Sequence, residues 1–307
     1  MFLSNGPKIL KKHCLASVLS VVGNGMQGMT SEGPQNFSSN TSTVVKLHHL
    51  EGDDEGIAVL GLNRPEVKNA LGRCLVHQLE EITRALEFAK QVRILIVRSM
   101  VPDIFCAGAD LKERAKQSQD ELKQFIPRLR SSVWGFASLP FPVIAALDGA
   151  ALGGGLELAL SCDLRVAAET VKLGLVETGL AIIPGAGGTQ KLPRLVGPAK
   201  AKELIFTAKV IDGIEAERIG LVNYSVPQND NHDAAYQRSL ELAREILPNG
   251  PVAVHMAKLA IDKGLEVDLE SGLAFEEAYY AQTIPTKDRI EGLMAFKEKR
   301  KPVYKGE

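Results

Sequence analysis

The chain has 307 residues, 45% of them hydrophobic, with 36 Lys and Arg against 37 Asp and Glu for a net charge of -1. That length buries a sizeable core without covalent staples, and the charge balance offers no field for drawing in nucleic acid or an anionic membrane. The four cysteines, Cys14, Cys74, Cys106 and Cys162, form no CxxC pair, and no HExxH-like spacing occurs, so the sequence argues against a disulfide framework and a protein-held metal.

Residues 1–42 read as a leader. Lys8, Lys11, Lys12 and His13 precede the first acid, Glu32, and Ser, Gly and Asn follow. An acid-poor, basic, Ser-containing start suits a mitochondrial transit peptide, and the apolar stretch 15–22 is too short to span a bilayer. A secretory signal is the rival reading, but the later chain lacks a secreted protein's cysteine pattern. Gly23, Gly25 and Gly28 spell GxGxxG, yet the Gly33, Pro34 and Ser/Asn tail that follow cannot supply the helix that a dinucleotide site needs, so the match is taken as accidental.

From residue 43 strand-like and helix-like segments alternate. VVKLHHL (44–50) and IAVLGLN (57–63), joined by GDDEG, predict a hairpin. Leu75, Leu79, Ile82 and Leu86 predict a helix over 73–90, and VRILIVRS (92–99) a buried strand. FCAGADLKER follows as a Gly-rich turn, then a polar helix over 119–137, a strand at PVIAALDG, and a second Gly-rich turn into a helix over 155–160. DLRVAAE (163–169) is the next strand, followed by VKLGLVE and by IIPGAGGTQKLPRLVG, read as a loop. Beyond Ala199 the pattern is helical in AKAKELIFTA, IEAERIG, DAAYQRSLELAREIL, PVAVHMAKLAIDKG and DLESGLAFEEAYYAQ. The fold class is therefore α/β, with a mixed body over 43–240 and a helical region over 241–307.

The two Gly-rich turns carry the chemistry. In each, strand residues lead to small side chains (AGAD, LGGG) and then to a helix start, where backbone N–H groups lie uncovered and favour negative charge. If both face one cleft, the Ala109 and Gly154 amides converge on one carbonyl oxygen and stabilise an enolate, each donor contributing about 3 kcal/mol in the transition state. Glycines that only allow close packing are the plainer explanation. Glu157, three residues after Gly154, falls on the same helix face, although an acid in a first turn also complements the helix dipole. Glu177 stands in a largely apolar stretch where desolvation raises a carboxyl pKa, and a second carboxyl nearby drives the two titrations apart.

FCAGADLKER, PVIAALDGAALGGGLELALSCDLRVAAE, GLVETGLAIIPGAGGTQKLPRLVG and AFKEKRKPVY together resemble the enoyl-CoA hydratase/isomerase (crotonase) family, over residues 44 to the C-terminus. The resemblance implies a crotonase-like spiral of repeated β-β-α units, with a helical C-terminal region used to form a trimer, commonly a dimer of trimers. It implies hydration of a short or branched enoyl-CoA, 3-methylglutaconyl-CoA among them, with no cofactor consumed because coenzyme A is part of the substrate. Gly154 and Ala109 match the positions whose amides hold the thioester oxygen. Glu157 matches the acid that activates water, and Glu177 the acid that exchanges the α-proton. Ala107, Asp110, Leu111 and Lys112 match the loop along the coenzyme, and Phe296 and Lys299 match positions that reach coenzyme A from a neighbouring subunit.

Two departures stand out. Glu66 occupies a position where many hydratases carry a basic residue near the adenylate phosphates. In the segment where a relative carries an RNA-binding lysine helix, the matching residues are Arg73, His77 and Glu81, so a basic stripe is not preserved, and the acids Glu80 and Glu81 repel phosphate. An isomerase or other acyl-CoA enzyme on the same scaffold, which manages with one acid, is the alternative to a hydratase. A noncatalytic binding protein would tolerate loss of an acid or a turn, and RNA binding is not expected.

Overall fold

A computed structural model describes residues 43–307; the leader, its GxGxxG match and Cys14 lie outside the described residues. The body begins with the expected antiparallel hairpin of β1 (Val45–His49) and β2 (Ile57–Leu62), in register Val45 to Leu62 and His49 to Ala58. α1 (Arg73–Leu86) follows and ends four residues earlier than the periodicity suggested, in a turn at Glu87. Then come β3 (Ile94–Ser99), β4 (Ile104–Cys106), α2 (Leu111–Arg114), α3 (Gln119–Trp134), β5 (Val143–Leu147), β6 (Ala150–Leu152), α4 (Gly154–Leu160), β7 (Leu164–Ala168) and β8 (Leu173–Gly174).

The strands divide into two sheets. Six form one in the order β1-β2-β3-β5-β7, closed at its far edge by a strand over Tyr224–Val226, and every pairing after the hairpin is parallel. Three short strands form the other, in the order β4-β6-β8, also parallel. Each unit thus sends one long strand into the large sheet and a short one into the small sheet before a helical turn, which is the repeated β-β-α architecture. The sequence ran each long strand directly into its Gly-rich turn. β4 and β6 intervene, and at three residues each they are too short for a period-two pattern to register.

Period-two alternation fixes which face each long strand presents. Ile57, Val59, Ile94, Ile96, Ile144, Ala146 and Val166 pack on one face, while Ala58, Leu60, Leu62, Leu95, Val97, Val143, Ala145 and Leu147 join the larger core on the other. That larger core is capped by Leu75, Leu79, Ile82 and Leu86 of α1, Phe125, Leu129 and Val133 of α3, and Leu156, Leu158 and Leu160 of α4.

After β8 the chain makes a short 3-10 turn over Glu177–Leu180 and enters α5 (Gly188–Val196). This helix replaces the loop read from IIPGAGGTQKLPRLVG. Gly187, at φ +114°, turns the chain into it, and Pro193 inside it forfeits one hydrogen bond without ending the helix. α6 (Pro198–Phe206), α7 (Gly213–Arg218) and the edge strand β9 (Tyr224–Val226) complete the body together with α8 (Ala234–Ile246). α8 runs across the 240/241 division drawn from sequence, and its Ala235, Leu240, Leu242 and Ala243 cover the free face of the large sheet.

α9 (Pro251–Gly264), α10 (Leu269–Thr283) and α11 (Lys287–Glu298) follow, α11 being started by the Thr286 side chain, which accepts from the Arg289 amide. α9 is tied to the body by Lys258, whose Nζ donates to Asp163 Oδ2 at 2.8 Å and to the Phe141 carbonyl at 3.1 Å. α10 buries no residue within its own chain. None of the described helices is long and apolar enough to cross a membrane.

Gly155 in α4 exists because of a close approach, since a Cβ there would run into the Cys106 carbonyl at the end of β4. At Gly179 an added Cβ would meet only the Ala208 Cβ, at 3.7 Å. Gly155→Ala is therefore expected to lower the melting temperature by several degrees, for a loss of about 1–3 kcal/mol, whereas Gly179→Ala leaves it nearly unchanged. Thermal unfolding of both variants checks this, and equal melting temperatures would contradict the packing argument.

Candidate active site

Because β4, β6 and β8 are parallel neighbours, their C-terminal ends lie side by side, and each leads into a residue singled out from the sequence. Cys106 leads to Ala107–Asp110, Leu152 to Gly153 and Gly154, and Gly174 to Glu177. The first two turns touch. Gly108, at φ +93°, has no room for a side chain, because a Cβ would lie 2.7 Å from the Leu152 carbonyl oxygen and 3.3 Å from the Gly154 nitrogen. A bridge between Leu71 and Ala109, with the Leu71 amide donating to the Gly108 carbonyl at 2.7 Å, braces the first turn from beneath. Among the described residues neither the Ala109 nor the Gly154 amide donates a hydrogen bond within the chain. Two uncommitted N–H groups thus stand in adjacent turns, one of them at the start of α4.

Glu157 sits one turn into α4, buried at 3% exposure. Its Oε1 accepts from the Ala186 and Gly188 amides, both at 2.8 Å. Burial pushes its carboxyl above the ordinary carboxylate range, opposed by those two amides and by the charges of Arg114 and Arg130. Glu177 lies against the Gly153 turn, where a Cβ on Gly153 would stand 3.1 Å from Glu177 Oε1, and its Oε2 is buried without a partner among the described residues. Burial, reinforced by the charge of Glu157, pushes Glu177 up to about 7. One carboxyl is held by two amides that favour its anion, while the other has one oxygen without a partner among the described residues and is pushed up to about 7. Two neighbouring carboxyls in such unlike surroundings have their titrations driven apart.

The structure therefore brings Ala109, Gly154, Glu157 and Glu177 to one place. Ala107, Leu111 and Lys112 are exposed on the lip of the same loop. Asp110, expected along the coenzyme, is buried and occupied: its side chain accepts from the Glu113 amide at 3.0 Å to cap α2, and pairs with Arg64 at 3.3 Å. Its effect is to hold the loop's shape. Phe296 and Lys299 stand at the end of α11, Phe296 86% exposed, and no hydrogen bond or ion pair of Lys299 joins it to these turns. Glu66 pairs with Arg64 at 3.6 Å.

The supports that sequence reading missed are distant in the chain. Ala186 and Gly188 clamp a carboxylate some thirty residues earlier; the glycine density of PGAGG was the available signal, since it leaves amides open. Asn69 is buried, with its Nδ2 donating to the Phe105 carbonyl at 3.0 Å and to Ser99 Oγ at 2.8 Å, which fastens the chain beneath the Ala109 turn. On α1, Arg73 pairs with Glu113 and Glu121, His77 with Glu81, and Arg128 of α3 with Glu80, so most of that helix's charges are already matched. Among the described residues no cluster of three or more His, Cys, Asp or Glu side chains is arranged to hold a metal.

Comparisons with known proteins give the chain's relatives. The family model described as Enoyl-CoA hydratase/isomerase matches residues 52–307. The chain is 60% identical over 267 residues to human mitochondrial methylglutaconyl-CoA hydratase, covering 87% of this chain and 79% of that protein. It is 52% identical over 280 residues to human mitochondrial enoyl-CoA hydratase domain-containing protein 2, covering 91% and 94%. The crystal structure of an enoyl-CoA hydratase from Bacillus anthracis superposes with a TM-score of 0.82 at 44% identity, over 86% of this chain and all of that one.

The raised Glu177 pKa has a consequence for stability. Between the ordinary carboxyl value of 4.5 and about 7 the folded protein keeps a proton that the unfolded chain has lost, so this group's contribution turns unfavourable as pH rises through that window. Glu177→Gln is expected to be more stable than the parent at pH 8, by roughly 1–2 kcal/mol after solvent screening, with the advantage gone below pH 4.5. Denaturant unfolding at the two pH values measures it, and a pH-independent difference would contradict the assignment.

Proposed function

The chain belongs to the enoyl-CoA hydratase/isomerase family, and on that basis we propose that it adds water across the 2,3 double bond of a short or branched enoyl-CoA, 3-methylglutaconyl-CoA being the favoured substrate. The observation that carries this reading is the pairing of two buried carboxyls in unlike environments with two uncommitted amides in touching turns.

The thioester oxygen accepts from the Ala109 and Gly154 N–H groups, which stabilise the enolate as charge moves onto it. Glu157, kept anionic by the Ala186 and Gly188 amides, takes a proton from water as the oxygen bonds to the β-carbon. Glu177, protonated up to about pH 7, gives its proton to the α-carbon and the enolate collapses to the hydroxyacyl thioester. One proton is gained and one given, so exchange with solvent restores both acids and nothing but water is consumed. The presence of both acids favours hydration over isomerisation, which needs one. Ala107, Leu111 and Lys112 lie along the coenzyme.

The mitochondrial relatives and the basic, acid-poor leader support a mitochondrial location, in the matrix. The oligomer is a trimer or a pair of trimers, supported by the apolar side chains that α9 to α11 leave in solvent, among them Leu265 at 74% and Leu269 at 79% exposure. In it, Phe296 and Lys299 reach a neighbour's coenzyme.

Hydration of crotonyl-CoA and 3-methylglutaconyl-CoA, followed by loss of the enoyl absorbance, tests the reaction. Glu157→Gln and Glu177→Gln are each expected to lower kcat by about 100-fold or more. The kcat/KM of the parent is expected to fall above pH 7 as Glu177 loses its proton. Full activity in either variant would overturn the assigned roles. Equilibrium sedimentation should give the mass of three or six chains, and a monomer would contradict the assembly.

A further inference from the structure

Arg114 is the last residue of α2, one turn beyond the Ala109 amide, with its own amide donating to the Asp110 carbonyl at 2.9 Å. The Asp110 cap fixes this turn, so the side chain is carried in a set position relative to the turn that bears Ala109. The guanidinium is partly buried, and its Nε is fully buried with no partner among the described residues. Among the described residues it forms no salt bridge, yet its charge acts on Glu157, Glu177, Asp110 and Glu113 together. Burial holds it below the ordinary arginine value despite those four carboxyls.

The neighbouring arginines are committed. Arg130, the other cation acting on Glu157, is exposed and donates from Nε to the Gly185 carbonyl at 3.1 Å. Arg64 donates to the Ala70 carbonyl and pairs with Asp110, Arg73 pairs with Glu113 and Glu121, and Arg128 with Glu80. Arg114 thus brings unengaged donors to the acid pair. A buried guanidinium without its acceptors is costly, and a planar carboxylate matches its fork of donors.

We propose that Arg114 receives a second carboxylate, carried at the far end of the acyl group, and so makes the site selective for dicarboxylic enoyl thioesters. The inference rests on the hydratase reading and specifies its substrate class. An acyl carboxylate two bonds from the β-carbon must enter beside Glu157 and Glu177, where like charge repels it unless a cation meets it. A neutral short chain has no such requirement, so the arginine separates the two substrate classes.

The test is the ratio of kcat/KM for 3-methylglutaconyl-CoA to that for crotonyl-CoA, measured for the parent, Arg114→Met and Arg114→Lys at one pH. The Met variant is expected to lower this ratio by about 100-fold, chiefly through KM for the dicarboxylic substrate, and Lys to recover about tenfold of it. If Arg114 only tunes the two acids, both substrates lose rate together, the pH profile for crotonyl-CoA moves and the ratio stays, which overturns the proposal. A parent protein that hydrates crotonyl-CoA and not the dicarboxylic thioester overturns this assignment alone. One that hydrates neither overturns the hydratase reading and this one with it.

Discussion

The site depends on three very short strands running side by side in the same direction. β4, β6 and β8 contribute eight residues between them, yet because they are parallel their chains leave the sheet together, and Ala109, Gly154 and Glu177 follow those exits. The spacing leaves no slack. Gly155 lies against the Cys106 carbonyl, Gly149 against the backbone of Asp103 and Ile104, and Gly108 against Leu152. A methyl group at any of these would part the turns and separate the amides. The plain explanation for the glycines, close packing, therefore holds for Gly155, and it is the same packing that sets two amides next to each other.

Placing two carboxyls in that restricted space creates an electrostatic problem that the fold answers unequally. Both are buried, and burial raises both. Glu157 receives two amides from the 184–188 loop, whereas Glu177 has one oxygen with no partner among the described residues. The difference is one of hydrogen-bond supply rather than depth: two amides pull the Glu157 carboxyl back toward its anion, and Glu177 has no such pair. Folding bears the cost of an unsatisfied oxygen at Glu177, which is consistent with local compromise concentrated where chemistry occurs.

The large sheet was legible because its strands are five or six residues long and alternate cleanly: Ile57, Val59, Ile94 and Ile96 against Ala58, Leu60, Leu95 and Val97. β4, β6, β8 and β9 were not, since two or three residues carry no period. α5 was hidden by Pro193 and by the glycines before it, which read as loop when judged locally. α11 offered a cap at Thr286 but a weak apolar stripe, because its apolar residues face outward around the helix: Ile290, Leu293, Met294 and Phe296 are all exposed. At the site, the turns and both acids could be found from residue type and position. The Ala186 and Gly188 clamp could not, because backbone amides have no sequence identity and the contact spans about thirty residues. Asp110 shows a role that the sequence did not suggest: its side chain caps α2 and pairs with Arg64.

The helical end of the chain obeys a different logic from the body. α10 is fifteen residues long and buries none of them, and its contact with α9 is made where Gly264 and Gly272 let the backbones close up. A helix of that length gains little from its own hydrogen bonds and needs tertiary packing to persist. The ion pair between Lys258 and Asp163 anchors α9, but among the described residues nothing comparable covers the outward side of α10. In the proposed assembly a second copy supplies that cover, and the same contact carries the exposed Phe296 and Lys299 toward another subunit's coenzyme A. Under that proposal, stability of the arm and completion of the coenzyme site would become one requirement, met by the same contact between copies.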